Sequence, residues 1–356
     1  PDIVGVSTFS ATSYFVPPVG TTQQRPQNPQ PGDLRFNTDT ASLEYFRGHT
    51  WSQIEMTSPD LNGGARGMFV GGQNAPSSTK YSEIDYITIS TLGNAIDFGD
   101  ITDDVHTPAV TASRTRGIAA GGYPTRGDID YWTIASTGDA IDSGFDLSTN
   151  RNDAAPCSDG VRATFAGGYT GSLINTIDYI TIASISTAAD FGDLNNGTSA
   201  AAGCESSTRG LIGGGANPGV TNIIEYITIA TTGTATNFGD LTVARGSLVC
   251  SCSNSIRGLW AGGYVGPDQN TIDYVTIATL GDATDFGDTL SAVSQAGACA
   301  SPTRGVIGGG IGGSPRTHTN VIQYVTILTT GNAIDFGDLT VSRNALGGCS
   351  NAHGGL

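Results

Sequence analysis

Lysine is nearly absent: Lys80 is the only one in 356 residues, and Lys and Arg together number 16 against 32 Asp and Glu. The net charge of −16 gives a surface that repels phosphate backbones. The sequence therefore excludes a general nucleic-acid binder, and an anionic membrane is an equally poor partner. Long apolar runs are missing as well; none reaches the roughly 18 residues that a membrane-crossing helix needs. Histidine is rare, and His49, His106, His318 and His353 are scattered without metal-ligand spacing. No Ser-His-Asp arrangement stands out. The Asp-Phe-Gly-Asp segments lack the Gly-rich phosphate loop and lysine partner that would give them a kinase role. The expectation from these absences is a chain that is not an enzyme and carries no cofactor or metal. No secretory leader pattern is visible, and because the chain opens on Pro1 rather than Met, an N-terminal piece is expected to precede it.

Glycine, in contrast, is abundant at 51 residues, without a collagen period. The apolar residues come in short alternating bursts, the pattern of strands rather than helices. One unit is written six times. Each copy opens on an Arg, at 66, 116, 162, 209, 257 and 304, a spacing that belongs to solenoids, propellers or arrays. An Arg-Gly-apolar-Gly-Gly stretch comes first, such as Arg257–Gly263. A loop of variable length follows. The third part is Ile-Asp-Tyr-Ile-Thr-Ile or a variant, starting at Ile84, Ile129, Ile177, Ile224, Ile272 and Ile322. Its alternation is read as placing Ile and Val on one face and Asp, Tyr and Thr on the other. A turn then leads to Phe-Gly-Asp, as in Phe286-Gly287-Asp288, which the second copy replaces by Ser143-Gly144-Phe145-Asp146. Small residues complete the unit, with Cys157, Cys204, Cys252 and Cys299 each five residues before a repeat Arg, and Cys349 in the matching place at the end. Equivalent positions on successive units do not meet within bonding distance, so these cysteines are expected as small buried side chains rather than disulfides.

Four short strands per unit of roughly 47 residues make a propeller blade. The expected fold is all-β: a six-bladed propeller over residues 62–356, preceded by an extended arm and Pro-rich linker (1–31) and a β-hairpin module (32–61). The hairpin has Leu34, Phe36, Leu43, Tyr45 and Trp51 as its apolar residues and a turn over 37–40. Six sets of outer segments begin at Arg66, and the first has no small-residue strand before it, since Asn62–Ala65 is too short. A surplus strand near Ala345–Asn351 would pair with it and close the ring, removing open edges. His353-Gly354-Gly355-Leu356 also aligns with the Arg-Gly-Leu start of another unit, so a seventh blade is the expectation if the natural chain continues.

The repeat arginines Arg66, Arg116, Arg162, Arg209, Arg257 and Arg304 are expected as scaffold, each holding carbonyls or an Asp. In the Asp-Phe-Gly-Asp segments Phe is expected between blades, with Asp capping turn amides or pairing with Arg. Binding belongs to the variable loops after each Gly-Gly. The candidates there are Tyr81, Tyr123, Tyr169, Tyr264, Asp268, Arg316 and His318. Tyr123, Tyr169 and Tyr264 recur at loop starts, where packing between blades is preferred over sugar stacking.

The Arg, Gly-Gly, Tyr order resembles kelch repeats. That resemblance implies that Gly-Gly ends the second strand and that the small-residue strand is innermost, near 108–113, 155–159, 202–206, 248–254, 296–301 and 346–351. Gly32-Asp33-Leu34-Arg35-Phe36-Asn37-Thr38-Asp39-Thr40, followed by Leu43-Glu44-Tyr45-Phe46 and Trp51, is similar to a short module of phage tail fibres and other virion proteins. The repeats, with their Asp-Tyr-Ile-Thr-Ile and Asp-Phe-Gly-Asp segments, resemble those in virion structural proteins of tailed phages of cyanobacteria and other aquatic bacteria. The resemblance covers nearly the whole chain. It implies a virion part, a tail fibre or similar appendage, that is homo-oligomeric or joined to other fibre subunits. The arm would anchor it and the propeller would face host-surface carbohydrate. A different expectation stands beside it: a self-assembling subunit of an extracellular filament, whose N-terminal strand inserts into its neighbour.

Overall fold

The computed structural model describes residues 17–39, 42–54, 65–74, 79–247, 249–313 and 315–356. The expected arm strands at 3–6 and 13–16 lie outside the described residues, as do Thr40 of the hairpin turn and Asn62–Gly64. The chain divides into two units, Pro1–Ser58 and Pro59–Leu356.

The smaller unit is more than a hairpin. Strands Leu34–Asn37, Ser42–Phe46 and Trp51–Ile54 pair antiparallel in that order, and Val19–Gly20 adds a parallel edge strand against Phe36 and Asn37. Part of the segment read as a linker thus belongs to the module. The cause is a charge at the centre of the sheet. Glu44 is fully buried, and Arg25 from the Pro-rich segment reaches its carboxylate at 2.6 Å while Arg35 binds it at 2.9 Å. The Arg25 hydrogen bond, helped by Asn37 and Arg35, holds the Glu44 carboxyl below its usual range against the cost of burial. Both guanidinium groups lie 5.9 Å from the Trp51 ring centre. The more buried face of this sheet is therefore the polar one, Arg35, Asn37 and Glu44, while Leu34, Phe36, Leu43 and Tyr45 on the opposite face stay partly exposed.

The larger unit is all-β. Its described residues form six antiparallel sheets of four main strands, each keeping the strand order of one sequence unit. In the fifth sheet, Cys250–Ser253 pairs with Arg257–Ala261, which pairs with Thr271–Thr276, which pairs with Thr284–Asp288. The first sheet mixes distant segments: Gly347–Ser350 pairs with Arg66–Val70, with Cys349 opposite Met68. The strands Ala109–Ala112, Ala155–Ser158, Ala202–Glu205, Cys250–Ser253, Gly297–Ala300 and Gly347–Ser350 neighbour one another in succession, and the last neighbours the first. Residues 351–356 form turns.

The pleat corrects the expected face assignment of the third strand. Ile177 and Ile180 are three residues apart and so face opposite sides. Ile177 packs with Tyr179 and Phe191 against Ile227 and Ile229 of the next sheet, whereas Ile180 and Ile182 pack against Ala109 and Ile118 of the preceding one. Both faces are buried because every sheet lies between two others. The core is accordingly six apolar clusters, each shared by two successive sheets, with Phe69, Ile87 and Ile89 of the first sheet joining Val306, Ile322 and Phe336 of the sixth. Phe98, Phe191, Phe238, Phe286 and Phe336 are buried, each edge-on to the Tyr of its own sheet at 5.9–6.1 Å. In the second copy the shifted Phe145 is instead 40% exposed.

Glycine at Phe-Gly-Asp is dictated by the next sheet. Gly99, Gly192, Gly239, Gly287 and Gly337 have φ of 142–156°, and a Cβ at any of them would overlap the backbone of a glycine turn in the following sheet. Capping falls to the Asp before Phe: Asp97, Asp190 and Asp285 accept the N–H of Gly99, Gly192 and Gly287.

Candidate functional site

The repeat arginines come first, because they decide what is left for function. Each guanidinium lies over the Tyr of its own sheet, 4.4–4.9 Å from the ring centre. Each also donates from Nη1 to a main-chain carbonyl of the next sheet: Arg66 to Ile134, Arg116 to Ile182, Arg162 to Ile229, Arg209 to Ile277, Arg257 to Ile327 and Arg304 to Ile89, at 2.7–3.3 Å. They are straps between sheets, and their partners are carbonyls rather than the Asp of Phe-Gly-Asp.

A second arginine set was not singled out from the sequence. Arg151, Arg245 and Arg343 are fully buried and pair with the equally buried Asp178, Asp273 and Asp85 at 2.6, 2.7 and 3.1 Å. Burial lowers the affinity of each guanidinium for its proton, and the facing carboxylate opposes that. Ser148, Thr242 and Thr340 hydroxyls also donate to these carboxylates, again from one sheet to the next. The signal was present: Leu147, Leu241 and Leu339 each precede such an Arg by four residues, in alternate copies. These groups are scaffold as well.

The variable loops hold the remaining chemistry. The residue after each Gly-Gly bridges to the chain entering the small-residue strand, as His106 with Tyr123, Asn152 with Tyr169 and Gly246 with Tyr264. This bridge pins the tyrosine backbone and turns the ring outward. Tyr123 is 47% and Tyr169 42% exposed, so these rings are not packed between sheets as preferred from the sequence. Tyr81 is half-buried in a strand, its N–H donated to Gly72.

Two clusters result. In one, Arg316 forks onto Asp268, Nε to Oδ2 and Nη2 to Oδ1 both at 2.8 Å, and donates to the Ser294 hydroxyl at 2.9 Å. The same guanidinium lies 4.9 Å from the Tyr264 ring centre. Tyr264, Asp268 and Arg316, three of the sequence candidates, are thus brought together across two loops. His318 follows, facing Ile311 across a short hairpin, with burial and then Arg316 keeping its ring below the usual histidine value against a hydrogen bond with Asn344. In the other cluster the sole lysine, Lys80, stands 5.1 Å from the Tyr123 ring centre, and the His106 ring lies 4.9 Å away on the same tyrosine. Burial, aided by Lys80, pulls His106 down to about 4, so it is neutral at physiological pH. Tyr169 and Tyr81 belong to neither cluster.

Both clusters join an aromatic surface to a cation, and the first adds the Asp268 carboxylate and the Ser294 hydroxyl. That combination suits a polyhydroxylated ligand, with stacking on the ring and hydrogen bonds from the rim. Among the described residues no group of three or more His, Cys, Asp and Glu is placed to hold a metal ion. The six cysteines are free and buried, and burial raises every thiol for which a shift is resolved, Cys250 to about 12. A cavity of about 100 Å³ lies among the six small-residue strands, with Glu205 and His353 as its ionisable lining besides the thiols. No protein-family model matches the chain, and no curated protein matches it.

Proposed function

We propose that the larger unit is a six-bladed propeller whose first blade mixes both ends of the unit, and that the chain is a non-enzymatic structural part of a phage virion. In this reading it is a tail fibre or similar appendage, built with further copies or other fibre subunits. The loop clusters at Tyr264–Arg316 and Lys80–Tyr123 bind host-surface carbohydrate. The observation that carries the binding role is a contrast between copies. Arg, Gly-Gly, Tyr and Phe-Gly-Asp do the same scaffold work in sheet after sheet, while a loop tyrosine paired with a cation, exposed at Tyr123 and half-buried at Tyr264, occurs only in particular loops. The cyclic succession of innermost strands and Arg straps supports the propeller. The resemblance of the N-terminal module and the repeats to virion proteins supports the virion assignment.

A second reading, the repeating subunit of an extracellular filament, has one observation in its favour: Leu34, Phe36, Leu43 and Tyr45 leave an apolar sheet face partly open in the N-terminal module. Electron microscopy of the native particle separates the two, since the virion reading requires the protein on phage particles and not in capsid-free filaments. Binding is tested by applying purified protein to glycan arrays and intact host cells. Y264A/R316A and K80A/Y123A are expected to weaken binding about tenfold or more while both variants remain folded. Binding unchanged in both variants contradicts the assignment of the loops.

A further inference from the structure

The last six residues carry chemistry that the repeat does not. After the innermost strand Gly347–Ser350, residues 351–356 turn across the ends of other innermost strands, and 352–355 are buried. A Cβ on Gly354 would overlap the carbonyls of Glu205 and Asn254, and one on Gly355 that of Ser158. The segment is therefore pressed against the third, fourth and fifth sheets at once. His353 is 8% exposed; its Nε2 stands 2.8 Å from the Ala112 carbonyl of the second sheet and its Nδ1 2.7 Å from Glu205 Oε1 of the fourth. Both side chains line the cavity.

The partners fix the protonation of this ring. A carbonyl oxygen only accepts, so Nε2 carries a proton. A carboxylate also accepts, so the 2.7 Å contact requires a second proton on Nδ1. The imidazolium is the form that satisfies both. The Gly355 N–H lies 3.2 Å from the same Nδ1, and only a deprotonated Nδ1 can accept it. Facing a carboxylate, Nδ1 can donate to Glu205 or accept from Gly355, but not both, and the ring's protonation decides which.

We propose that residues 351–356 are a proton-controlled latch that closes one end of the cavity and ties its strands together, held by the His353 imidazolium on Glu205. When the ring loses its Nδ1 proton to solvent, the Nδ1 lone pair turns to the Gly355 N–H. Glu205 is then left as a charge at the cavity wall without its ion-pair partner, and the segment lifts. Burial works against the charged ring, but Glu205 and the hydrogen bonds outweigh it, so His353 sits above the ordinary histidine value; Arg114, from the turn of the second sheet, opposes the imidazolium. The thiols of Cys157, Cys204, Cys252 and Cys349 also interact with Glu205. A raised folded-state value means that the latch contribution is complete below the unfolded value and is lost as pH rises through the folded one.

The test is hydrogen exchange on the full chain, corrected for intrinsic rates, from about pH 6 to about pH 9, with NMR titration of the His353 ring. Protection of 351–356 is expected to fall about tenfold or more across that range while protection of Arg257–Ala261 holds. H353Q is expected to abolish the pH dependence and leave the segment exchanging fast at every pH. PH-invariant protection of 351–356 in the wild type, or a His353 ring titrating at or below the ordinary value, overturns the latch. Both readouts come from the wild type, so the test survives if H353Q fails to fold.

Discussion

Arg304 donates a hydrogen bond to the main-chain carbonyl of Ile89, which precedes it by 215 residues, at 2.8 Å. Five equivalent arginines make the same bond to the sheet that follows them, and this one returns from the sixth sheet to the first. Truncation removes a charge-assisted hydrogen bond and a cation–aromatic contact with Tyr324. R304A is expected to cost about 1–3 kcal/mol in denaturant unfolding. R304K keeps the charge without the planar fork and should fall between wild type and R304A. A loss no greater than a few tenths of a kcal/mol would show that the strap is ornamental.

Arg245 and Asp273 make a harder test, because both are fully buried. D273N leaves the guanidinium without its countercharge and is expected to cost about 3–5 kcal/mol, whereas R245M/D273N removes the stranded charge and should recover part of that loss. Additive losses in the double variant would mean that the two side chains act independently.

The cysteines and the glycines after the repeat arginines are matched in size. A Cβ on Gly258 would overlap the Cys204 sulfur of the preceding sheet, Gly67 and Gly305 meet Cys299 and Cys252 in the same way, and Gly210 stands in tight contact with Cys157. G258A should therefore be destabilising by about 1–3 kcal/mol. C204A/G258A is expected to be less damaged than the sum of its parts, read from chemical denaturation of the four proteins of the cycle.

His106 gives a pH dependence of definite sign. Its folded-state value of about 4 lies below that of a free histidine. Between those values the unfolded chain binds the proton and the folded chain does not, so stability falls as pH falls through that window. NMR titration should place the ring near about 4, and H106F should lessen acid destabilisation in the same interval. A ring titrating at the ordinary value would show that its packing on Tyr123 is loose.

Much of the strand layout was legible because it is repeated: the Arg-Gly opening, the Ile-Asp-Tyr segment and the small-residue strand each recur at matched positions and fold alike. Pairing of Gly347–Ser350 with Arg66–Val70 was likewise legible, by counting segments. Three things were not. The face of each Ile was misread because a strand buried on both sides places apolar residues in both parities, so alternation carries no label. The buried face of the N-terminal module was missed because it is built from Arg35, Asn37 and Glu44, a charge cluster with no hydrophobic signature. Arg151, Arg245 and Arg343 escaped notice because they occur in alternate copies only. In the candidate site the loops were identifiable as the variable segments, but the junction of Asp268 with Arg316 across 48 residues is a property of packing.

The most direct test of the architecture is native-state hydrogen exchange at Gly347–Ser350, whose ladder is formed with Arg66–Val70. If Gly347–Ser350 and Arg66–Val70 are joined in one sheet, these amides exchange only through global unfolding, with the same free energy as those of Ala202–Glu205. Exchange of 347–350 at free-peptide rates while 202–205 remain protected would contradict that pairing.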